Sequence, residues 1–286
     1  MLDVRPRMIL VAVESTDGDA ALRYAAQEAR QRRCGVHVIH VLPPTLGGSG
    51  QVDSVVLTDG ELRLRGREVL RTAAGRLEVL LRHDELAVST ELCHGAVVPT
   101  LIHESSAASL VVVQHRGMGP GEHSPVLSVT TGVAARSHAP LVAVPAGWQQ
   151  PDPERELVVT VGVGDDREND NLVDMAAAEA LRMGALLRIV HAGDRLSLHD
   201  LVTDFPDIPF KYVNSMDEPV DALLACAPDT TLFVVGRRHP RLPLGQHLGP
   251  VVRTLLRLSP VPVMVMDPGR DDEAEGGRDL ATSVVP

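Results

Sequence analysis

Short apolar runs that alternate with longer amphipathic stretches constrain this 286-residue sequence more than any other feature. The runs 110–113 and 232–235 contain only Val, Leu and Phe and are too short for helices, which predicts strands buried on both faces. The amphipathic stretches carry apolar residues at a period close to 3.6, which predicts helices. Strands that alternate with helices form parallel sheets covered on both sides, so we predict an α/β fold with doubly wound open sheets.

The predicted elements follow this alternation through both halves of the chain. In the first half, the predicted strands are 8–13, 35–42, 86–92, 109–114 and 140–144, and the predicted helices are 18–32, 59–83, 95–106 and 125–137. In the second half, the predicted strands are 157–163, 185–191, 209–213, 231–236 and 261–266, and the predicted helices are 169–183, 217–226 and 248–258. Residues 43–58 are predicted to form a long loop.

The two halves repeat one another. Residues 10–14 match residues 160–164, and residues 111–116 match residues 233–238, at the same places in the series of strands. The second copy is shorter, because it lacks most of the long loop and the second helix. The predicted parts of the chain are a first domain (1–146), a linker (147–156), a second, shorter domain (157–267) and a disordered acidic tail (268–286).

Composition and charge argue against several classes of protein. Aromatic residues make up 2% of the chain and the formal net charge is −11, whereas nucleic-acid binders need basic surfaces and often aromatic stacking platforms. No apolar stretch approaches the roughly 18 residues of a membrane helix, and the N-terminal run is too short for a signal peptide. The three cysteines are far apart and predict reduced thiols. We therefore expect a cytoplasmic protein without nucleic-acid or membrane partners.

A Gly-rich loop follows the fourth strand of each half, at the sheet edge where doubly wound folds bind ligands. Glycine lets backbone N–H groups approach an anion, and the N-terminus of the following helix favours negative charge. Arg116 and Arg237 could each add a charged contact, and Ser128 and Thr130 could donate to a phosphate oxygen. The loops therefore indicate phosphate sites, although Gly and Pro also mark simple turns.

These repeats and loops resemble the universal stress protein family, and the whole chain resembles its tandem two-domain members of actinobacterial type. Nucleotide-binding members of that family carry an Asp after the first strand and a glycine motif, ending in Gly-Ser or Gly-Thr, after the fourth. The motif positions are occupied by Gln114, Gly117, Leu127 and Ser128 in the first copy and by Gly236, His239, Gly249 and Pro250 in the second. The resemblance covers residues 7–146 and 157–267.

The resemblance implies strand order 3-2-1-4-5 in each copy, a fold like that of the adenine nucleotide alpha hydrolases, and ATP as the ligand. For the first copy it implies Glu14 at the ribose, Val41 and Val113 beside the adenine, and phosphate contacts from Arg116, Gly117, Gly119, Ser128 and Thr130. For the second copy, the corresponding residues are Val235, Gly236, Arg237, His239 and Gly249.

Departures from the family motif predict that these sites are only partly retained. Gln114 adds a side chain where the family brings backbone close to the ribose and phosphate, and Leu127 adds an apolar branch. Pro250 removes both a hydroxyl and a backbone donor. Gly164 stands at the acidic position of the second copy and supplies no carboxylate.

We predict a stress-response binding or sensing module with adenine-nucleotide sites, rather than an enzyme, and no metal site. The twelve histidines show no ligand spacing, and the sequence contains no nucleophile elbow or triad order. One alternative is a nucleotide-free interaction scaffold on the same fold. Another is an adenine-nucleotide hydrolase or adenylyl-transfer enzyme, whose Mg²⁺-dependent turnover would be lost in Glu14→Gln. Weak ATP hydrolysis is compatible with the leading hypothesis.

The last strands of the two halves, Leu141–Val144 and Val261–Met266, are apolar and would lie at sheet edges. Apolar edges associate readily because their backbone groups are unpaired. We therefore predict that the two halves pack as an intramolecular pseudo-dimer through these strands. In the family that this chain resembles, such edges pair between tandem halves or between protomers, so the resemblance also allows a homodimer.

Overall fold

The computed structural model describes residues 8–44, 49–52, 55–115, 129–164, 169–193, 208–237 and 248–269. The strands are β1 (Met8–Ala12), β2 (Val36–Leu42), β3 (Ser49–Val52), β4 (Val55–Thr58), β5 (Val88–His94), β6 (Ala108–His115), β7 (Leu141–Pro145), β8 (Val158–Val163), β9 (Leu186–Ala192), β10 (Phe210–Ser215), β11 (Leu232–Gly236) and β12 (Val263–Met266). The helices are α1 (Asp19–Arg32), α2 (Asp59–Leu80), α3 (Val97–Glu104), α4 (Val129–Ala134), α5 (Asn169–Met183), α6 (Pro219–Ala225) and α7 (Pro250–Leu258).

In the described part of the chain, ten strands form one sheet in the order β10-β9-β8-β11-β12-β7-β6-β1-β2-β5. Within the first half, β1, β2, β5, β6 and β7 are the five successive strands, and their spatial order is 3-2-1-4-5. The strands β8 to β12 have the same order in the second half, and neighbours within each half run parallel. The α/β fold class and the strand order are therefore confirmed.

The sheets of the two halves are joined where β7 runs antiparallel to β12. Met264 lies opposite Val142, and Val263 lies opposite Ala143. All four side chains are at most 2% exposed. The last strand of each half is therefore an interior strand of a continuous sheet, paired on both of its sides.

Helices cover both faces of this sheet. α1, α2 and α5 pack on one face, and α3, α4, α6 and α7 pack on the other. Both cores consist mainly of Val, Leu, Ile and Ala, as the low aromatic content requires. The longest helix, α2, begins with a capping box: Thr58 Oγ accepts from the Glu61 N–H, and the Glu61 carboxylate accepts from the Thr58 N–H.

Four charged residues, here termed the ion cluster, join α1 to α5 between the halves. They are Glu28 and Arg32 on α1 and Glu179 and Arg182 on α5. Arg32 lies 3.0 Å from Glu28 and 2.8 Å from Glu179. Arg182 lies 3.0 Å from Glu28 and also pairs with Glu179. Two positive and two negative charges thus compensate one another where Glu28 is fully buried.

Burial and the charges of the ion cluster shift the pKa values of Tyr24 and Arg32. Burial raises the pKa of the Tyr24 phenol well above its ordinary value, and the carboxylates of Glu28 and Glu179 raise it further. Burial by itself lowers the pKa of Arg32, but the two carboxylates outweigh it and the net shift is upward. Arg32 therefore stays charged, and Tyr24 stays neutral, at physiological pH.

The structure differs from the sequence prediction at several boundaries. Within the predicted loop 43–58, β3 and β4 form an antiparallel hairpin, which this stretch did not reveal because its apolar and polar residues do not alternate regularly. Helix α2 ends at Leu80 instead of residue 83, and Glu85, in the turn that follows, has a φ of 49°, which a helix does not allow. Residues 125–128 of the predicted helix 125–137, and the predicted tail from residue 270 onward, lie outside the described residues.

Candidate functional site

A pocket opens at the carboxyl edge of the sheet in the second half, where β8 and β11 are neighbours. Its described lining comes from the ends of β8, β9 and β11, from α5 and α6, and from the first turn of α7. The cavity volume is about 220 Å³. Because β9 lies on one side of β8 and β11 on the other, the pocket occupies the point where the strand order reverses, which is where open α/β sheets bind ligands.

Three glycines keep part of the pocket wall free of side chains. A Cβ at Gly236 would lie 3.2 Å from Leu172 Cδ2, and a Cβ at Gly162 would lie 3.0 Å from Leu223 Cδ1. A Cβ at Gly164, by contrast, would have no neighbour within 4 Å. A Cβ at position 164 would therefore lie in open space.

The N-terminus of α7 contributes another wall. Gly249 is the N-cap residue, with an extended backbone, and Pro250 is the first helical residue. Val251 and Val252 follow, and all four residues line the pocket. The first turn of a helix offers backbone N–H groups without intrahelical partners and the positive end of the helix dipole, so this wall can hold an anion, although Pro250 contributes no donor.

Arg237 follows directly after β11, lines the pocket, and is 7% exposed. Its guanidinium Nη2 lies 3.1 Å from Asp267 Oδ2 and donates to the carbonyl oxygen of Ser137 at 2.9 Å. Ser137 belongs to the first half of the chain. A phosphate contact from Arg237, as predicted from the sequence, would therefore have to compete with a carboxylate and a carbonyl that this side chain already binds.

The described site residues predicted for the first half lie near the matching edge of the sheet. Glu14 is exposed just beyond the end of β1. Val41 on β2 and Val113 on β6 pack into the same apolar cluster, and Thr130 in α4 is buried. The predicted ligand contacts of these four residues stay predictions.

Gln114, near the end of β6, holds its side chain against the start of α1. Its Oε1 accepts from the backbone N–H of Ala20 at 3.2 Å, and its Nε2 donates to the carbonyl oxygen of Asp17 at 3.2 Å. The sequence identified Gln114 as a departure from the family motif but did not reveal these contacts.

The structure brings together the described part of the site predicted for the second half. Val235, Gly236, Arg237 and Gly249 all line the pocket. The remaining predicted residues, Arg116, Gly117, Gly119, Ser128 and His239, lie outside the described residues.

Several lining residues escaped the sequence analysis, among them Val190, Ala192 and Leu223. The internal repeat contained a signal for one of them. His40 and His191 hold equivalent places in the two halves. His40 Nδ1 lies 2.7 Å from the carbonyl oxygen of Val13, which follows β1. His191 Nδ1 lies 3.4 Å from the carbonyl oxygen of Val163, which ends β8. Ala192 is therefore the counterpart of the predicted adenine contact Val41.

Titratable groups around the described pocket are few. Among the described lining residues, Arg237 carries the one titratable side chain.

Burial, followed by the nearby Glu91 carboxylate, raises the pKa of the Cys93 thiol in the first half to about 11, so this cysteine is not a thiolate at neutral pH. Within the described ranges, no three His, Cys, Asp or Glu side chains are grouped closely enough to hold a metal ion. No helix in those ranges combines the length and apolar character needed to cross a bilayer.

Comparisons with known proteins agree with this fold. Residues 6–145 match the universal stress protein family. Universal stress protein Rv1996 of Mycobacterium tuberculosis is 24% identical over 300 residues, which cover 90% of this chain and 94% of that protein. Universal stress protein Rv2005c of the same organism is 26% identical over 294 residues, covering 90% and 96%.

The crystal structure of a universal stress protein from Archaeoglobus fulgidus superposes with a TM-score of 0.70 at 20% identity, covering 92% of this chain and 98% of that one. At this identity the similarity supports the fold alone. The family match covers residues 6–145, just under half of the chain, and the relatives align along both halves, so the chain is similar to universal stress proteins in sequence as well as in fold.

Proposed function

We propose that the chain is a stress-response binding module that takes an adenine nucleotide in the pocket of its second half. The observation that carries this proposal is the cavity of about 220 Å³ at the switch point of the second half, with Gly236 and Gly249 on its wall. Its volume lies below the roughly 300–1,000 Å³ of drug-sized ligand sites, so the described part suits a nucleoside better than a whole triphosphate.

The division of the chain belongs to the same proposal. We infer two domains, 1–146 and 157–267, joined by the linker 147–156, that dock as an intramolecular pseudo-dimer. The antiparallel pairing of β7 with β12 supports this docking, as does the ion cluster between α1 and α5. The contact from Arg237 to the Ser137 carbonyl adds a direct link between the second-half pocket and the first half.

Thermal unfolding with AMP, ADP, ATP and cyclic AMP, with and without Mg²⁺, tests the nucleotide site. A ligand present at 100 times its dissociation constant stabilises a protein by about 2.7 kcal/mol, which corresponds to a rise of several degrees in melting temperature. We expect such a rise with at least one adenine nucleotide. We also expect Gly164→Trp to abolish it, because Gly164 lines the pocket and a bulky side chain there would compete with a ligand for the cavity, while its Cβ has no neighbour within 4 Å.

Gly147→Trp is the matched control. Gly147 is exposed, and a Cβ there likewise has no neighbour within 4 Å, but it lies in the turn after β7 and does not line the pocket. This variant should keep the full ligand response. A flat response of the unmodified protein to millimolar nucleotide, or an unchanged response in Gly164→Trp, would contradict the proposed site.

A gain of affinity is expected from Gly164→Asp. The substitution adds a carboxylate after β8, at the position where the family pattern has its acidic residue, and the open space around Gly164 admits it. A hydrogen bond from a ribose hydroxyl to a charged acceptor contributes about 1.5–3 kcal/mol, so the dissociation constant of adenosine or AMP should fall by roughly tenfold or more. Isothermal titration calorimetry measures this change, and Gly164→Asn separates the effect of charge from that of shape. Equal or weaker affinity in Gly164→Asp would show that the ribose does not lie beside this residue.

The second candidate function is a nucleotide-free interaction scaffold. It is favoured by the engagement of the Arg237 guanidinium with Asp267 and Ser137, which leaves less positive charge for a phosphate. Catalysis is not supported by the described lining, in which the one titratable group is that same arginine. Mg²⁺-dependent ATP turnover that is lost in Glu14→Gln would instead favour the hydrolase alternative.

A further inference from the structure

Gln114 and Gly236 occupy equivalent positions in the two halves. Each lies near the end of the fourth strand of its half and pairs with the last strand of that half. Gln114 on β6 lies opposite Val144 on β7, and Gly236 on β11 lies opposite Met266 on β12. Gly236 lines the open pocket of the second half. At this position of the sheet edge, the first half therefore carries a side chain and the second half does not.

The Gln114 amide already makes the type of contacts that a polar ligand would make there. Its oxygen accepts from the backbone N–H of Ala20, in the first turn of α1, and its nitrogen donates to the carbonyl of Asp17. The N-cap residue of α1, Gly18, has no side chain with which to satisfy the free N–H groups of that turn. The amide thus satisfies one donor and one acceptor that would otherwise be available to a bound molecule.

A tethered group has an advantage over a free ligand that competes for the same contacts. Gln114 is held in place by the strand, so its amide acts at a high effective concentration and loses little freedom when it binds. In the second half, Gly236 provides no such group, and its backbone faces Leu172 and Pro268 across a narrow gap.

We propose that the Gln114 side chain acts as a built-in substitute for a ligand and closes the first half, so that the chain binds one nucleotide rather than two. This inference rests on the proposed nucleotide site of the second half. The residue at position 114 then decides whether the first half binds a nucleotide, and the residue at position 236 decides whether the second half does.

The test is the number of nucleotides bound per chain, measured by equilibrium dialysis with radiolabelled ATP and AMP on the full-length protein. We expect one for the unmodified chain, two for Gln114→Gly, none for Gly236→Gln, and one for the double variant. In Gly236→Gln and in the double variant, a Cβ at residue 236 would lie 3.2 Å from Leu172 Cδ2 and 3.4 Å from Pro268 Cγ, so the flexible end of Leu172 has to shift by a few tenths of an ångström to admit the added Gln. Gln114→Ala, which removes the amide but retains a Cβ, gives an independent measure if Gln114→Gly is poorly folded by circular dichroism.

Each outcome separates this inference from the proposed function. The role of Gln114 would be overturned, with nucleotide binding left intact, if the unmodified chain bound two nucleotides. The same conclusion would follow if the unmodified chain, Gln114→Gly and Gln114→Ala each bound one nucleotide per chain. No nucleotide on the unmodified chain but one in Gln114→Gly would support Gln114 and refute the second-half site. No binding in either protein would refute both.

Discussion

Met264→Lys is expected to lower the melting temperature by at least about 10 °C, or to prevent folding altogether. Met264 is fully buried in β12, between β11 and β7, where it lies opposite Val234 on one side and Val142 on the other. Truncating such a side chain costs about 2–5 kcal/mol, and an unpaired charge in the same place adds several more. Because β12 joins the sheets of the two halves, the loss should affect both halves and not the second alone.

Two control variants show whether the loss of stability comes from placing a charge at this buried position. One changes the same methionine without adding a charge, and the other adds the same charge at an exposed methionine. Met264→Leu conserves volume and should cost less than about 1.5 kcal/mol. Met216→Lys places the same charge at a methionine that is 85% exposed, and it should change the melting temperature little. Far-UV circular dichroism on heating, together with the hydrodynamic radius, measures the outcome. If Met264→Lys melts within about 2 °C of the unmodified protein, the continuous sheet is wrong.

Glu28→Gln is expected to reduce the free energy of unfolding by about 3–5 kcal/mol. Glu28 is fully buried and pairs with Arg32 and Arg182, so its neutralisation leaves two partly buried arginines with one carboxylate, that of Glu179. The cost comes from an uncompensated, partly buried charge more than from one lost contact. Since Arg182 belongs to the second half, the variant should also weaken the packing of α1 against α5.

Glu68→Gln provides the matched control. Glu68 pairs with Arg71 at 2.6 Å on α2, but both side chains are more than half exposed. An exposed pair of this type contributes little to stability, because water and salt screen it. Urea denaturation of both variants compares them directly. Similar losses in Glu28→Gln and Glu68→Gln would show that the ion cluster is solvated in solution and does not hold the halves together.

The fold could be predicted from the sequence because its signals are local. Apolar runs such as 110–113 and 232–235 became interior strands, and the alternation with helices predicted parallel strands within each half, whereas the strand order came from the family resemblance. The β3–β4 hairpin was missed because a short hairpin without regular alternation carries no periodic signal.

The lining of the candidate site was predictable only in part. The repeat and the family motif led to Val235, Gly236 and Gly249, which line one pocket, because strand ends and helix starts are fixed by the fold. They could not lead to the engagement of Arg237 with Asp267 and Ser137, since that contact depends on how the two halves meet. The ion cluster was missed for the same reason: its charges lie on two helices that are far apart in sequence.

Photo-labelling with 2-azido-ATP, followed by mapping of the labelled peptides, tests the central claim most directly, because it reports where the adenine lies. The account predicts saturable labelling of peptides that contain residues 162–164, 190–192 or 235–237, prevented by excess ATP and absent in Gly164→Trp. Labelling confined to the first half, around Glu14, Val41 or Val113, or labelling that neither saturates nor responds to ATP, would contradict it.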